Sequence, residues 1–195
     1  MAHVPRAHVL LFTTMAALGA SVDLATKWWA FRALGMPHEK PSHWIFDEIF
    51  GFTTSLNEGA LFGIGQGRGL VFCGLSLAAL CGIAYWLTRG KALHDWLLSL
   101  ALGMVTGGIL GNLYDRLGLP KLTWGTDMFH QPGTPVYAVR DWLHFKVDGV
   151  VDWPIFNIAD SLLVVGAVLL VWHALAVEPE HAAEPASSGQ DAPIA

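Results

Sequence analysis

Four long apolar stretches set the pattern of this chain, separated by two long polar loops and one short turn. The first begins near Val9 and runs to Asp23 and Lys27. The second, residues 69–87, carries no charge. The third, residues 96–114, has Asn112 as its most polar member. The fourth, residues 155–177, holds one charge, Asp160. A helix that crosses a bilayer needs about 20 mostly apolar residues. The pattern therefore predicts four spanning helices over about 9–27, 69–87, 96–114 and 155–177. The first also has the small-residue end of a secretory signal peptide, at Leu18, Gly19 and Ala20. Its amino-terminal flank, with only Arg6, is too weakly basic to favour that reading.

Trp28, Trp29, Trp86, Trp96, Trp153 and Trp172 fall near the ends of these stretches. Amphipathic rings favour the membrane–water interface there. Gly103, Gly107 and Gly111 recur every fourth residue of the third stretch, a spacing that lets helix backbones approach closely. The loop over 30–68 mixes His, Pro, Glu and aromatics, with a short strand expected at 52–56. The loop over 117–151 is rich in Gly, Pro, Trp and Asp. Residues 178–195 are polar and are expected to be a disordered tail after a single membrane domain over 1–177.

Composition sharpens this picture. Of 195 residues, 53% are hydrophobic and 14% charged, against about 25% charged in soluble domains. Mean hydropathy is +0.46. A net charge of −5 argues against a surface that binds nucleic acid. Cys73 and Cys81 lie eight residues apart in one apolar run. On a helix that is about 12 Å, beyond the ~7 Å a disulfide allows. Charge does not settle orientation. Arg6, Arg89 and Lys91 lie on the side of the termini, whereas Arg32, Lys40, Arg68, Arg116, Lys121, Arg140 and Lys146 lie on the other. Taken literally, the positive-inside rule points the long loops inward.

Ionisable groups within a bilayer are expensive and are functional candidates by default. Asp23 and Lys27 stand i, i+4 on one helical face, the spacing of an intrahelical ion pair. Asn57 opens N-E-G-A-L-F (57–62), a turn leading back to the membrane. Asn112 and Arg116 are again i, i+4, with Asp115 beside them. Asn157 and Asp160 lie about 60° apart on the fourth helix at 100° per residue. An acid one turn into a membrane helix has no ready structural explanation, so Asp160 is the strongest candidate for chemistry.

In this order, the motifs D-L-A-T-K (23–27), N-E-G-A-L-F (57–62), G-G-I-L-G-N-L-Y-D-R (107–116), D-W-L-H-F (141–145) and F-N-I-A-D-S (156–161) resemble the lipoprotein signal peptidase family, signal peptidase II. The resemblance covers about residues 8–177. It implies an all-α membrane protein with four transmembrane helices, cytoplasmic termini and a small extracytoplasmic β-cradle. The implied activity is that of a membrane aspartyl endopeptidase in the bacterial cytoplasmic (inner) membrane, its active site toward the outer face. Such an enzyme removes signal peptides from prolipoproteins by cutting before a diacylglyceryl-modified cysteine. Carried onto this sequence, the catalytic pair would be Asp141 and Asp160. Asn112, Arg116 and Asn157 would support the pair or the substrate, and Asp23, Lys27, Asn57 and Gly108 would line or brace the site. The implied partners are lipid-modified prolipoprotein signal peptides and membrane lipids, with no nucleic acid. A monomer without cofactor or metal is expected, and H-E-x-x-H is absent.

The chain departs from the family pattern between Arg116 and Asp141. Residues 118–139 form an inserted loop where many relatives have a much shorter link, and Arg140 stands where an apolar residue is usual. Asp152, in V-V-D-W (150–153), competes with Asp141 as the partner of Asp160. Eight residues separate Asp152 from Asp160, with Pro154 between, or about 12 Å at the helical rise, too far to share a proton. A serine protease built on Ser76 and His173 would leave Asp160 and Asn112 unused, and a proton-coupled carrier relaying through Asp160 should show broken helices and a mid-membrane site, whereas the acids here lie near span ends.

Overall fold

The computed structural model describes residues 4–176 except 47–48, 60–64, 66, 90–91 and 127–128. The expected tail and the A-L-F part of the 57–62 motif lie outside the described residues. The elements run α1 (Arg6–Leu34), β1 (His43–Phe46), β2 (Phe50–Asn57), α2 (Gly69–Arg89), a short 3-10 turn (Ala92–His94), α3 (Trp96–Arg116), β3 (Val139–Val147), β4 (Val151–Phe156) and α4 (Ile158–Ala176). All four α-helices are long and apolar enough to cross a membrane.

α3 is the central helix, and its glycines explain why. An added Cβ on Gly103 would meet the Phe12 carbonyl at 2.8 Å, and one on Gly107 the Ala16 carbonyl at 3.0 Å. The glycine stripe therefore seats α1. On the other side, a Cβ on Gly108 would meet the Ala159 carbonyl at 2.6 Å, and one on Gly166 of α4 the Ala101 carbonyl at 3.1 Å. Small residues replace the hydrophobic drive that lipid removes. Such packing makes α1 an integral part of the bundle. α2 lies at its periphery, with Cys73 buried and Cys81 exposed.

Residues 155–157, expected as helix, instead finish β4 and cap α4, which starts at Ile158. Pro154 is tolerated because β4 is an edge strand. α1 runs to Leu34, beyond the expected end near 27. The strand expected at 52–56 is the middle of β2, and the expected loop over 117–151 contains β3. The four strands form one antiparallel sheet in the order β1-β2-β3-β4. An aromatic cluster holds the sheet on the end of α1: Trp29 lies 5.3 Å from Phe52 and 5.7 Å from Trp142, edge to face. Trp142 is the neighbour of Asp141 on β3, so this cluster fixes the strand that carries the acid.

Candidate active site

The site forms where the start of α4 meets the last turns of α1 and α3 and the strands β2 and β3. The first turn of any helix has N–H groups without intrahelical partners. At α4, side chains fill that need. The Asp160 N–H donates to Asn157 Oδ1 at 2.9 Å, and the Asn157 N–H donates to Asp160 Oδ2 at 3.3 Å. This is a reciprocal capping box with an acid at the third helical position. The Ala159 N–H donates to Asp23 Oδ1 on α1 at 2.9 Å. Asp160 is thus oriented by the helix it begins, and the positive end of the helix dipole favours its anion.

Asn157 also carries the link to β3. Its Nδ2 donates to Asp141 Oδ1 at 2.6 Å and to Asn112 Oδ1 at 3.2 Å. Asn112 Nδ2 donates to Asp160 Oδ1 at 2.8 Å. The two carboxylates are therefore joined through two amides, which add donors without adding charge. Asp141 is 1% exposed. Burial, and then the negative charge of Asp160, hold the Asp141 carboxyl well above the ordinary carboxylate range, against the opposing effects of Asn157, Lys27 and Asn57. The Asn57 amide reaches Asp141 from β2, and Asn57 Oδ1 closes its own turn by accepting from the Gly59 N–H at 2.9 Å.

A buried ionic network lies beneath. Lys27 Nζ is 2.8 Å from Asp23 Oδ2, 3.1 Å from Asp115 Oδ2 and 2.8 Å from Asn112 Oδ1. Asp23, Lys27 and Asp115 are all 0% exposed. Arg140 supplies the second cation: its Nη2 and Nε reach Asp115 Oδ1 at 2.8 and 2.9 Å, and its backbone N–H donates to Asp115 Oδ2 at 3.1 Å. Two anions face two cations, the arrangement that makes buried charge tolerable. Asp115 and Arg140 were not among the sequence candidates for the site. Arg116 does not pair with its neighbour Asp115. It donates to the Gly59 carbonyl at 2.8 Å, lies over the Phe72 ring, and adds positive potential to Asp160 and Asp141. Gly108 lets Ala159, and with it Asp160, approach α3, and Gly111 is in contact with Asp23.

Every sequence candidate for the site meets in this one region. Asp152 does not: its side chain is exposed and ion-paired to His144 at 2.8 Å. Ser76 and His173 do not meet either. Phe72, one turn from Ser76, lies beneath Arg116, whereas His173 contacts Asp95, the cap at the opposite end of α3, at 3.3 Å. A carrier's broken helices are not seen among the described residues either: each spanning helix is continuous, with Asp115 and Asp160 at helix ends. Residues 15–176 match the sequence profile of the family described as Signal peptidase (SPase) II. The chain belongs to the signal peptidase II family. A lipoprotein signal peptidase of Rhodopirellula baltica is 42% identical over 170 residues, 86% of this chain and 72% of that protein. One from Bacillus subtilis is 32% identical over 164 residues, 83% of this chain and 90% of its own. The fold is also that of a solved bacterial membrane enzyme, with a TM-score of 0.67 and 24% identity over 84% of this chain and 87% of that one. Signal peptidase II enzymes are peptidases of the aspartic class, and the bridged carboxylates agree with that chemistry.

Proposed function

We propose that this chain removes signal peptides from lipid-modified prolipoproteins, cutting before the diacylglyceryl cysteine with Asp141 and Asp160 as the catalytic pair. The observation that carries this reading is the Asp141–Asn157–Asp160 bridge, in which the Asn157 side-chain amide holds the buried Asp141 and its backbone N–H holds the half-buried Asp160. Two such groups do not easily ionise together, so the pair keeps one proton between them. The ionised member takes a proton from the attacking water while the protonated member hydrogen-bonds the scissile carbonyl. That proton then passes to the leaving amine, and the amides of Asn112 and Asn157 keep both acids aimed at one point. Asp23, Lys27 and Arg140 hold the scaffold, and Arg116 offsets the charge that develops on the pair. Residues 1–177 act as one domain. The enzyme is taken to work as a monomer, and every group of this site comes from one chain.

The direct test is conversion of a diacylglyceryl-modified prolipoprotein to its shorter form by the purified protein in detergent. Cleavage that survives a chelator and a serine reagent supports the reading, and loss of activity to either contradicts it. The pH profile follows from the pair. Activity falls at low pH when both acids are protonated and at high pH when both are ionised, with values that belong to the pair. Since the Asp141 carboxyl is raised, the high-pH limb of kcat/KM is expected above the ordinary carboxylate value of about 4. A high-pH limb at or below that value would contradict the shared proton.

The reading puts the sheet and both long loops on the outer face of the bacterial inner membrane, where a lipid-anchored precursor is presented. The adverse charge count weakens once Arg116 and Arg140 are taken as internal partners rather than loop charges. In a background with both cysteines replaced by alanine, Ser42→Cys and Gly125→Cys are expected to react with an impermeant thiol reagent in intact spheroplasts. Gly125 is suited to this because an added Cβ there meets open space. Labelling only after lysis would reverse the orientation.

A further inference from the structure

Two clefts flank the turn that precedes β1, and both run along β2. One, of about 500 Å³, lies between residues 37–42 and Thr53–Ser55. The other, of about 1240 Å³, continues past Ser55 and Leu56 to Trp124 and His130 of the inserted loop. They share Pro37, His38, Glu39 and Ser55. Strand pairing explains the opening. β1 accompanies β2 only through the His43–Phe52 pair, and the chain before His43 diverges. β3 continues along the other side of β2, through Ser55–Asp141 and Leu56–Arg140. Among the described residues, Ser55 and Leu56 therefore have a strand partner on one side only, just past the point where the β2–β3 register shifts. Alternate residues of an antiparallel strand turn their N–H and C=O away from a given neighbour, so this edge offers main-chain groups to the cleft.

The inserted loop closes the far wall. Its two limbs meet at the Thr123–Pro135 bridge. The Trp124 and His130 rings stack 3.7 Å apart, and His130 Nε2 lies 3.2 Å from Glu58 Oε1 at the end of β2. The described part of the loop is thus anchored beside the Asn57 turn and lines the cleft.

We infer that this cleft binds the substrate's main chain downstream of the cut cysteine as an added strand on the Ser55–Leu56 edge of β2. The occupant rests on the reaction proposed above. The portion before the cut lies in the membrane, and the portion after it must leave past the sheet. Continuity supports this path, because Asp141 sits on β3 directly opposite Ser55. Two strand spacings of about 4.8 Å separate β3 from a strand in the cleft. About three residues at ~3.3 Å each cover that distance, so pairing begins near the third residue after the cysteine. Main-chain pairing is indifferent to side-chain identity, as an enzyme acting on unrelated mature sequences requires.

The test uses the full-length enzyme in detergent and synthetic lipopeptides with one signal segment, one diacylglyceryl cysteine and one, three, five or seven residues after it. KM is expected to fall by about tenfold between the one-residue and seven-residue substrates, as two or three main-chain hydrogen bonds would produce. kcat is expected to change far less. N-methylation of single amides from the third to the sixth residue is expected to raise KM about 3- to 10-fold at alternate positions and little at those between. KM independent of length, or N-methyl effects without alternation, would overturn the added strand while leaving the reaction standing. Cleavage of none of the series would overturn both.

Discussion

Asp160→Asn is expected to lower kcat by about 10²–10⁴ or more, the cost of losing a general acid–base group, in a protein that still inserts and folds. Asparagine keeps the shape, and its side-chain oxygen can still accept from the Asn112 amide that now bonds Oδ1 at 2.8 Å. What disappears, on the proposed mechanism, is the proton shared with Asp141. The Asp141→Asn, Asp160→Asn double variant is therefore expected to be little slower than either single variant, because groups that act as a unit are non-additive. Single-turnover rates on one lipid-modified precursor, measured at equal folded enzyme, check this. Losses that multiply would mean that the two acids work independently.

The second large effect concerns stability. Lys27→Met leaves Asp23 and Asp115 both 0% exposed with one fewer cation between them. Removing one partner from a buried ion pair costs about 3–5 kcal/mol. For a chain of this size that is a fall on the order of 10 °C in the thermal midpoint in detergent. Activity is expected to fall too, because Lys27 Nζ holds Asn112 Oδ1, and Asn112 holds Asp160. Adding Asp23→Asn leaves one anion, Asp115, paired with the one remaining cation, Arg140, at 2.8 Å. The double variant is therefore expected to recover part of the lost stability, a coupling that a mutant cycle measures. Additive losses would contradict the shared network.

The spanning helices were legible because lipid demands length and apolarity, and both are local properties of sequence. The start of α4 was not, because Ile155 and Phe156 are as apolar in an edge strand as in a helix. Hydropathy cannot divide an apolar run that changes its backbone at Asn157. The signal was nevertheless present: Asn157 followed three residues later by Asp160 is a capping-box spacing. It also answers the structural puzzle of an acid one turn inside a membrane helix, since Asp160 helps to cap the helix it begins. β3 was hidden for a related reason. V-R-D-W-L-H-F-K-V (139–147) is rich in β-branched and aromatic residues, but the Gly- and Pro-rich insertion before it gave the whole region the composition of a loop. The site candidates came from motifs read one at a time, and each motif supplied its own residue. Asp115 and Arg140 escaped because their bond spans 25 residues through that insertion. The contact from Asp23 to the Ala159 N–H spans 136. No local pattern records contacts of that kind. The charge count treats every Arg in a loop as solvated, whereas Arg140 is 5% exposed, so it overstates the free charge of the loops.

The most direct test of the central claim compares Asp141→Asn with Asp152→Asn. Both acids precede α4, but Asp141 is buried and bonded to Asn157, whereas Asp152 is exposed and paired with His144. Each purified variant is given the same diacylglyceryl-modified prolipoprotein in the same detergent, and the released signal peptide is measured against time. The account predicts that Asp152→Asn cuts at close to the parent rate while Asp141→Asn is slowed as severely as Asp160→Asn. An active Asp141→Asn beside an inactive Asp152→Asn would contradict it.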